Sequence, residues 1–97
     1  MNKTFLPAAL MAALTLMAAP AAAACYADYK AKRDDPLRLH YGTIRIDGNT
    51  CTPEAAAAQI RSRLARDQWT LLNVLGVFGE SGLAERKASA GQFHLRY

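Results

Sequence analysis

The chain has 97 residues, and its 12 Lys or Arg against 8 Asp or Glu give it a formal net charge of +4. A chain of this length holds one small domain and leaves no room for a second. The basic residues are scattered instead of forming one tract, so the charge predicts weak attraction to anionic surfaces and no nucleic-acid binding.

The first 24 residues have the layout of a secretory signal. Lys3 precedes an apolar run over residues 5–19, and the small residues Ala22 and Ala24 satisfy the cleavage rule. A membrane anchor would need about 20 apolar residues and flanks that hold it in place, whereas alanine dominates the end of this segment. We therefore predict a mature, periplasmic or secreted domain of residues 25–97 with no stable membrane insertion after cleavage.

Cys25 follows this signal directly, and Cys51 is the only other cysteine. A lipoprotein signal has a bulky aliphatic residue three places before its cysteine, where this chain has Ala22. A redox-active pair usually has Cys-x-x-Cys spacing, which these cysteines lack. Because leftover cysteines are unusual in an oxidising compartment, we predict a structural Cys25–Cys51 disulfide. A lipid-anchored envelope protein and free or reactive thiols are the alternatives.

The mature chain begins with a polar segment over residues 25–35. Tyr26 and Tyr29 are three residues apart, a spacing that would place both rings on one face of a short helix. So short a helix is marginal alone, and we expect the disulfide to hold it. Pro36 then favours extended chain.

Residues 37–46 alternate with the period of a half-buried strand. The alternation predicts inward side chains at Leu37, Leu39 and Tyr41 and outward side chains at Arg38 and His40. Beyond Gly42 the apolar residues are Ile44 and Ile46, which have the other parity. A bulge at Gly42 would return both isoleucines to the buried side.

Thr52 and Pro53 have the chemistry of an N-cap and a first helical residue, and they predict a helix that runs to about Asp67. Its apolar stripe consists of Ala56, Ala57, Ile60 and Leu64. Its arginines Arg61, Arg63 and Arg66 are spread over the remaining surface. This distribution is typical of a solvated helix face.

Two further strands are predicted after the helix. Residues 69–78 are apolar on both parities, which is typical of a strand covered on both faces. Residues 92–97 alternate cleanly. The alternation predicts Phe93, Leu95 and Tyr97 inward and Gln92, His94 and Arg96 outward.

The predicted fold is α+β, with one helix packed on a three-stranded sheet after a short N-terminal segment. In this β-α-β-β order a right-handed crossover makes strands 37–46 and 69–78 parallel, and the last strand lies centrally between them, antiparallel to both. One helix covers only one face of the sheet. We therefore predict a homodimer in which a second copy covers the surplus apolar surface through the sheet face or edge.

The segment "ARDQWTLLNVLGVF" and the terminal "FHLRY" resemble a family of very small β-α-β-β domains of unknown function. In that family a helix leads into Gly-Trp-Glu-Leu-Val, and the domain ends in an aromatic-x-Leu-x-Arg-like strand. Trp69, Leu71 and Leu72 carry the resemblance, together with residues 93–96, while Gln68 stands at the family's glycine position. The mature chain is also similar to uncharacterised exported bacterial proteins. The resemblance implies a fold but no activity.

The candidate binding residues are the four polar side chains on the predicted outward face: Arg38, His40, His94 and Arg96. Zinc needs three or four ligands and two histidines are too few, so we predict no metal and no cofactor. A small metal-binding or enzymatic domain that uses His40 and His94 is the alternative.

Residues 79–90 form a long connection, which we expect to be mobile and a further candidate for partner contact. Its "GESGL" departs from the nucleophile pattern Gly-x-Ser-x-Gly at Leu83. Glu80 and Glu85 could form an acid/base pair, but both lie in this connection. We therefore predict no catalytic residues. The predicted role is non-catalytic binding or structural support, with a second copy or an unidentified envelope protein as the partner.

Overall fold

The computed structural model describes residues 24–97. The predicted signal lies outside the described residues, apart from Ala24. In chain order the elements are strands β1 (Cys25–Arg33) and β2 (Arg38–Ile46), helix α1 (Pro53–Leu64), strand β3 (Thr70–Phe78) and short helix α2 (Ala84–Ala90). Single 3₁₀ turns occur at Ala65–Asp67, Glu80–Gly82 and Gly91–Phe93.

The three strands form one sheet in the order β2-β1-β3, and β1 is antiparallel to both neighbours. The predicted α+β class and the helix on a three-stranded sheet are confirmed. The two outer strands run parallel to each other on either side of an antiparallel strand, also as predicted. The central strand, however, is the N-terminal segment and not the C-terminal one, so the order along the chain is β-β-α-β.

The N-terminal segment forms a strand because its odd-numbered residues supply one continuous buried face. Cys25, Ala27, Tyr29 and Ala31 are all at most 6% exposed. Tyr26 and Tyr29 therefore lie on opposite faces of the sheet, and the helical interpretation of their spacing was wrong. Ala27 and Ala31 belong to the same buried cluster as Ala56, Ile60 and Leu64 of α1.

The first half of β2 presents the opposite face to the core from the one predicted, whereas Ile44 and Ile46 are buried as predicted. The pairing of β2 with β1 is continuous, so there is no bulge at Gly42. His40 is 8% exposed, whereas Leu37 and Leu39 are each 66% exposed. Gly42 lies opposite Tyr29, and a Cβ at this position would come within 2.6 Å of the Tyr29 Oη. The even-numbered residues therefore face the core along the whole of β2 from His40 onward. Gly42 permits this because it has no side chain and leaves space for the Tyr29 ring.

Two irregularities interrupt the pairing of β3 with β1. The register shifts between Asp28 and Tyr29 and again between Lys30 and Ala31. Each shift leaves an extra β3 residue, first Leu75 and then Leu72, as in a β-bulge. The core side of β3 consequently uses every third residue, namely Leu71, Val74 and Val77.

Helix α1 begins as predicted. Thr52 is the N-cap, and its Oγ1 accepts a hydrogen bond of 3.2 Å from the Ala55 N–H. Ala56, Ile60 and Leu64 are fully buried against the sheet. The 3₁₀ turn extends the helical segment to Asp67, and Gln68 ends it in the left-handed conformation with φ 63°.

Residues 79–90 contain a 3₁₀ turn and helix α2, whereas the sequence predicts a long loop. Helix α2 lies against β2, and Ala90 is buried. Residues 92–97 form no strand. A 3₁₀ turn ends at Phe93, and one parallel bridge joins His94 to Thr43 at the outer edge of β2. The C-terminal segment therefore covers the β2 edge instead of entering the sheet.

Candidate functional site

His40 lies in a cluster of aromatic rings on the core face of the sheet. Phe93 stacks on the imidazole at 3.7 Å between ring centroids, and Trp69 meets it edge to face at 4.3 Å. Tyr29 Oη lies 2.9 Å from His40 Nε2 in a hydrogen bond. We call Tyr29, His40, Trp69 and Phe93 the aromatic cluster. It joins β1, β2, the residue just before β3 and the C-terminal segment into one packed unit.

The cluster changes the acid–base properties of its members. Burial, with further contributions from Arg33 and Arg96, lowers the pKa of His40 to about 4. Burial, with a smaller contribution from Tyr97, raises the pKa of the Tyr29 hydroxyl above its usual range. Both groups are therefore neutral at pH 7. His40 Nδ1 is buried and has no hydrogen-bond partner among the described residues.

The structure does not gather the four predicted binding residues on one outward face. His40 faces the core, because β2 has the parity opposite to the one predicted. His94 Nδ1 is hydrogen bonded to Thr43 Oγ1 at 2.8 Å, so this ring fastens the C-terminal segment to β2. Arg38 and Arg96 are exposed. The two imidazoles thus have separate structural partners.

A polar cluster that sequence reasoning missed lies on the opposite face of the sheet. Asp28 is only 8% exposed, and its Oδ2 accepts hydrogen bonds from Tyr41 Oη at 2.9 Å and from Arg86 Nε at 3.0 Å. The Arg86 guanidinium also lies 4.0 Å above the centre of the Phe78 ring. These contacts fix α2 to the sheet. The missed signal was the one acidic residue of Cys25–Arg33, which stands on the polar parity of an alternating strand.

Tyr41 in this cluster is also neutral at pH 7. Burial, the hydrogen bond to Asp28 and the charge of that carboxylate raise the pKa of Tyr41 to about 12. The hydroxyl therefore stays a donor to Asp28. The cluster stabilises the fold, since Asp28 and Arg86 are paired with each other and the Tyr41 hydroxyl donates to Asp28.

Cys25 and Cys51 form the predicted disulfide, with their Cα atoms 5.8 Å apart. The bond joins the first residue of the central strand to the segment just before α1. Because the Cys25 sulfur is bonded to Cys51, it cannot at the same time carry the thioether of a lipid anchor.

Strand β3 also exposes apolar side chains, in addition to Leu39 of β2. The two bulge leucines, Leu72 and Leu75, are 50% and 47% exposed. Leu72 also borders a groove of about 280 Å³ on the outer face, with Leu39, Tyr41 and Lys30 among the other lining residues. β3 pairs with β1 on one side only, and no strand of residues 24–97 lies on its other side. We call the outer side of β3, with Leu72 and Leu75, the β3 edge.

Residues 24–97 contain no group of three or more His, Cys, Asp or Glu side chains arranged to hold a metal ion. Within the same range, no helix has the length and the apolar character required to cross a bilayer. Comparisons with protein-family models, with curated proteins and with solved structures give no match. The resemblance to the small β-α-β-β domains therefore stays a prediction.

Proposed function

We propose that this chain is an exported, disulfide-stabilised binding domain that performs no catalysis, and that its partner is a second copy of itself. The observation that carries this proposal is the β3 edge. It combines two half-exposed leucines with a strand that has a neighbour on one side only. Contiguous exposed apolar surface on a small protein usually marks an interaction site.

The β3 edge lacks the features that normally protect an outer strand. Thr70–Phe78 contains no charged residue and no proline, whereas edge strands are commonly guarded by lysine, proline or a covering segment. The other outer strand, β2, carries Arg38 and Arg45 and is covered by the C-terminal segment. Only the two bulges on β3 act against continuation of the sheet. We therefore expect contact through leucine side chains and not through a continuous backbone ladder.

A second copy suits this surface because of charge. Without Lys3 of the predicted signal, residues 25–97 have 11 Lys or Arg against 8 Asp or Glu, so two copies that each carry a formal net charge of +3 repel each other. Strand β3 itself carries no charged residue, so the repulsion is weaker along this strand than elsewhere. A two-fold axis across an antiparallel pair of β3 strands would place Leu72 of one copy against Leu75 of the other, and the reverse. Each copy would thus bury the two leucines that are exposed in the monomer.

Export and the absence of turnover belong to the same proposal. The disulfide is consistent with an oxidising compartment, and residues 1–24 have the layout of a secretory signal. The two imidazoles and the buried carboxylate of Asp28 are each engaged by partners within the chain. A binding role requires none of these groups to be free.

Sedimentation equilibrium of the oxidised protein, over a range of concentrations, tests self-association. We expect a monomer–dimer equilibrium in the wild type. We expect monomers in Leu72→Lys and Leu75→Lys, because each substitution places a charge opposite an apolar partner surface. The matched control is Leu37→Lys, which changes a leucine that is 66% exposed but remote from β3. A wild type that stays monomeric, or a control that dissociates as much as the two variants, would contradict the proposal.

A further inference from the structure

A basic pocket lies on a different side of the molecule from the β3 edge. It is open, has a volume of about 490 Å³, and is formed by the end of β2, the C-terminal half of α1 and the C-terminal segment. Its lining residues are Tyr26, Arg45, Asp47, Arg63, Arg66, Leu95 and Tyr97. The sequence predicts Arg45 on a strand and Arg63 and Arg66 on a helix, and the fold brings all three to one concave surface.

Arg63 is the fixed member of this group, with a side chain that is 15% exposed. Its Nη1 donates to the Arg45 carbonyl oxygen at 2.6 Å, and its Nη2 donates to Gln59 Oε1 at 2.6 Å and to Asp47 Oδ2 at 3.0 Å. These bonds tie α1 to the end of β2. They also hold the backbone of Arg45 in a defined place beside the helix.

The positive charge of the pocket is only partly compensated. Asp47 is its single acidic lining residue and is paired with Arg63. Arg45 and Arg66 form no ion pair within residues 24–97. The lining side chains therefore carry three positive charges and one negative charge. Two guanidinium groups from different elements border the same open volume.

We propose that this pocket binds a phosphate group. Arg45 and Arg66 would bind the phosphate oxygens, while Arg63 fixes the end of β2 to α1. A guanidinium offers paired N–H donors that match two oxygens of a phosphate, and such bidentate, charge-assisted bonds are among the stronger polar contacts. The Tyr97 ring and the exposed Leu95 side chain form an apolar wall of the pocket beside the arginines. The pocket therefore suits a phosphate attached to an organic group.

The phosphate can belong to a free metabolite or to a phospholipid headgroup, and two probes separate these sources. The first is glycerol 3-phosphate, titrated into the oxidised protein and followed by the amide NMR signals of residues 45, 66 and 97. The second is co-sedimentation with phosphatidylcholine vesicles, with and without phosphatidylglycerol. The variants are Arg45→Gln and Arg66→Gln. The matched control is Arg61→Gln, which removes the same charge from an exposed position of α1 that does not line this pocket.

We expect each pocket variant to weaken binding of the active probe by about tenfold, the effect of losing one charge-assisted contact. Arg61→Gln should leave the affinity within about twofold, because it changes only the long-range field. Binding of glycerol 3-phosphate assigns a free ligand, and binding to phosphatidylglycerol vesicles alone assigns a headgroup. Failure of both probes, or an equal loss in Arg61→Gln, overturns the proposal. Self-association is measured separately and should be the same in Arg45→Gln and Arg66→Gln as in the wild type, because neither residue borders the β3 edge.

Discussion

The Tyr29 hydroxyl and the His40 imidazole share a hydrogen bond of 2.9 Å on the buried face of the sheet. Tyr29 belongs to the central strand and His40 to its neighbour. The bond therefore orients two rings at the point where Trp69 and Phe93 also meet the sheet. Burial in this cluster disfavours the charged imidazolium, and this makes the fold sensitive to acid.

Stability should fall as the pH drops from about 6.5 to about 4. The pKa of His40 is lowered to about 4 in the folded chain, against an ordinary value of 6.5. Between these values the unfolded chain binds a proton that the folded chain does not, so protons favour unfolding. The full effect is on the order of 3 kcal/mol. Urea unfolding at pH 7, 5.5 and 4 measures it. His40→Phe, which keeps a ring in the cluster, should lose this part of the pH dependence, and an unchanged pH dependence in this variant would refute the assignment.

Gly42→Ala should destabilise the protein by about 2 kcal/mol, which is typical of an added carbon in a packed site. The new Cβ would lie 2.6 Å from Tyr29 Oη and 3.0 Å from the Phe93 carbonyl oxygen. Gly76→Ala is the control, since its Cβ would meet nothing closer than Asp28 Oδ1 at 3.7 Å. Thermal unfolding compares the two variants. Equal losses of stability would show that Gly42 has no special packing role.

Breaking the disulfide should lower the free energy of unfolding by about 3.5 kcal/mol, the chain-entropy value for a loop of this size. The bridge joins residues 26 positions apart, and it fixes the first residue of the central strand. The measurement is urea unfolding of the oxidised wild type against Cys25→Ser/Cys51→Ser. A reductant should destabilise the wild type and leave the double variant unchanged. Equal stability of the two proteins would mean that the bridge is dispensable.

Gln68→Gly should raise the free energy of unfolding by roughly 0.5–1 kcal/mol, because the left-handed conformation strains a residue that has a Cβ. Gln68 is exposed, with φ 63° at the end of the α1 segment. The same substitution at Arg66, where φ is not positive, should destabilise the protein instead. Thermal unfolding of both variants, compared with the wild type, tests this prediction. A loss of stability in Gln68→Gly would contradict this explanation.

The sequence predicts the local structure of this chain better than it predicts which strands pair with each other. Thr52 and Pro53 define the start of α1 through chemistry that acts within one turn, and the two cysteines have only each other as partners. The strand character of Cys25–Arg33 was missed because alanine is a weak apolar signal. In addition, Tyr26 places a large ring on the otherwise polar parity, and the partners of Asp28, which are Tyr41 and Arg86, are distant in sequence.

The candidate surfaces depend on contacts between strands, which an alternating sequence pattern does not reveal. His40 was expected outside, but Gly42 opposite Tyr29 gives the core side of β2 to the other parity. In β3, two bulges turn an alternating pattern into one of every third residue and expose Leu72 and Leu75. The register of a pair of strands decides both outcomes, and register is a property of the fold as a whole.

Site-specific photo-crosslinking from position 72 tests the central claim most directly. A benzophenone amino acid replaces Leu72 in the protein expressed with its full sequence, and the cells are irradiated before the products are separated and mapped by mass spectrometry. We predict a covalent dimer whose crosslinked peptide contains residues 70–78 of the second copy. Position 37 serves as the control and should give no dimer. Products that join position 72 to another envelope protein, or the absence of any dimer, would contradict self-association through the β3 edge.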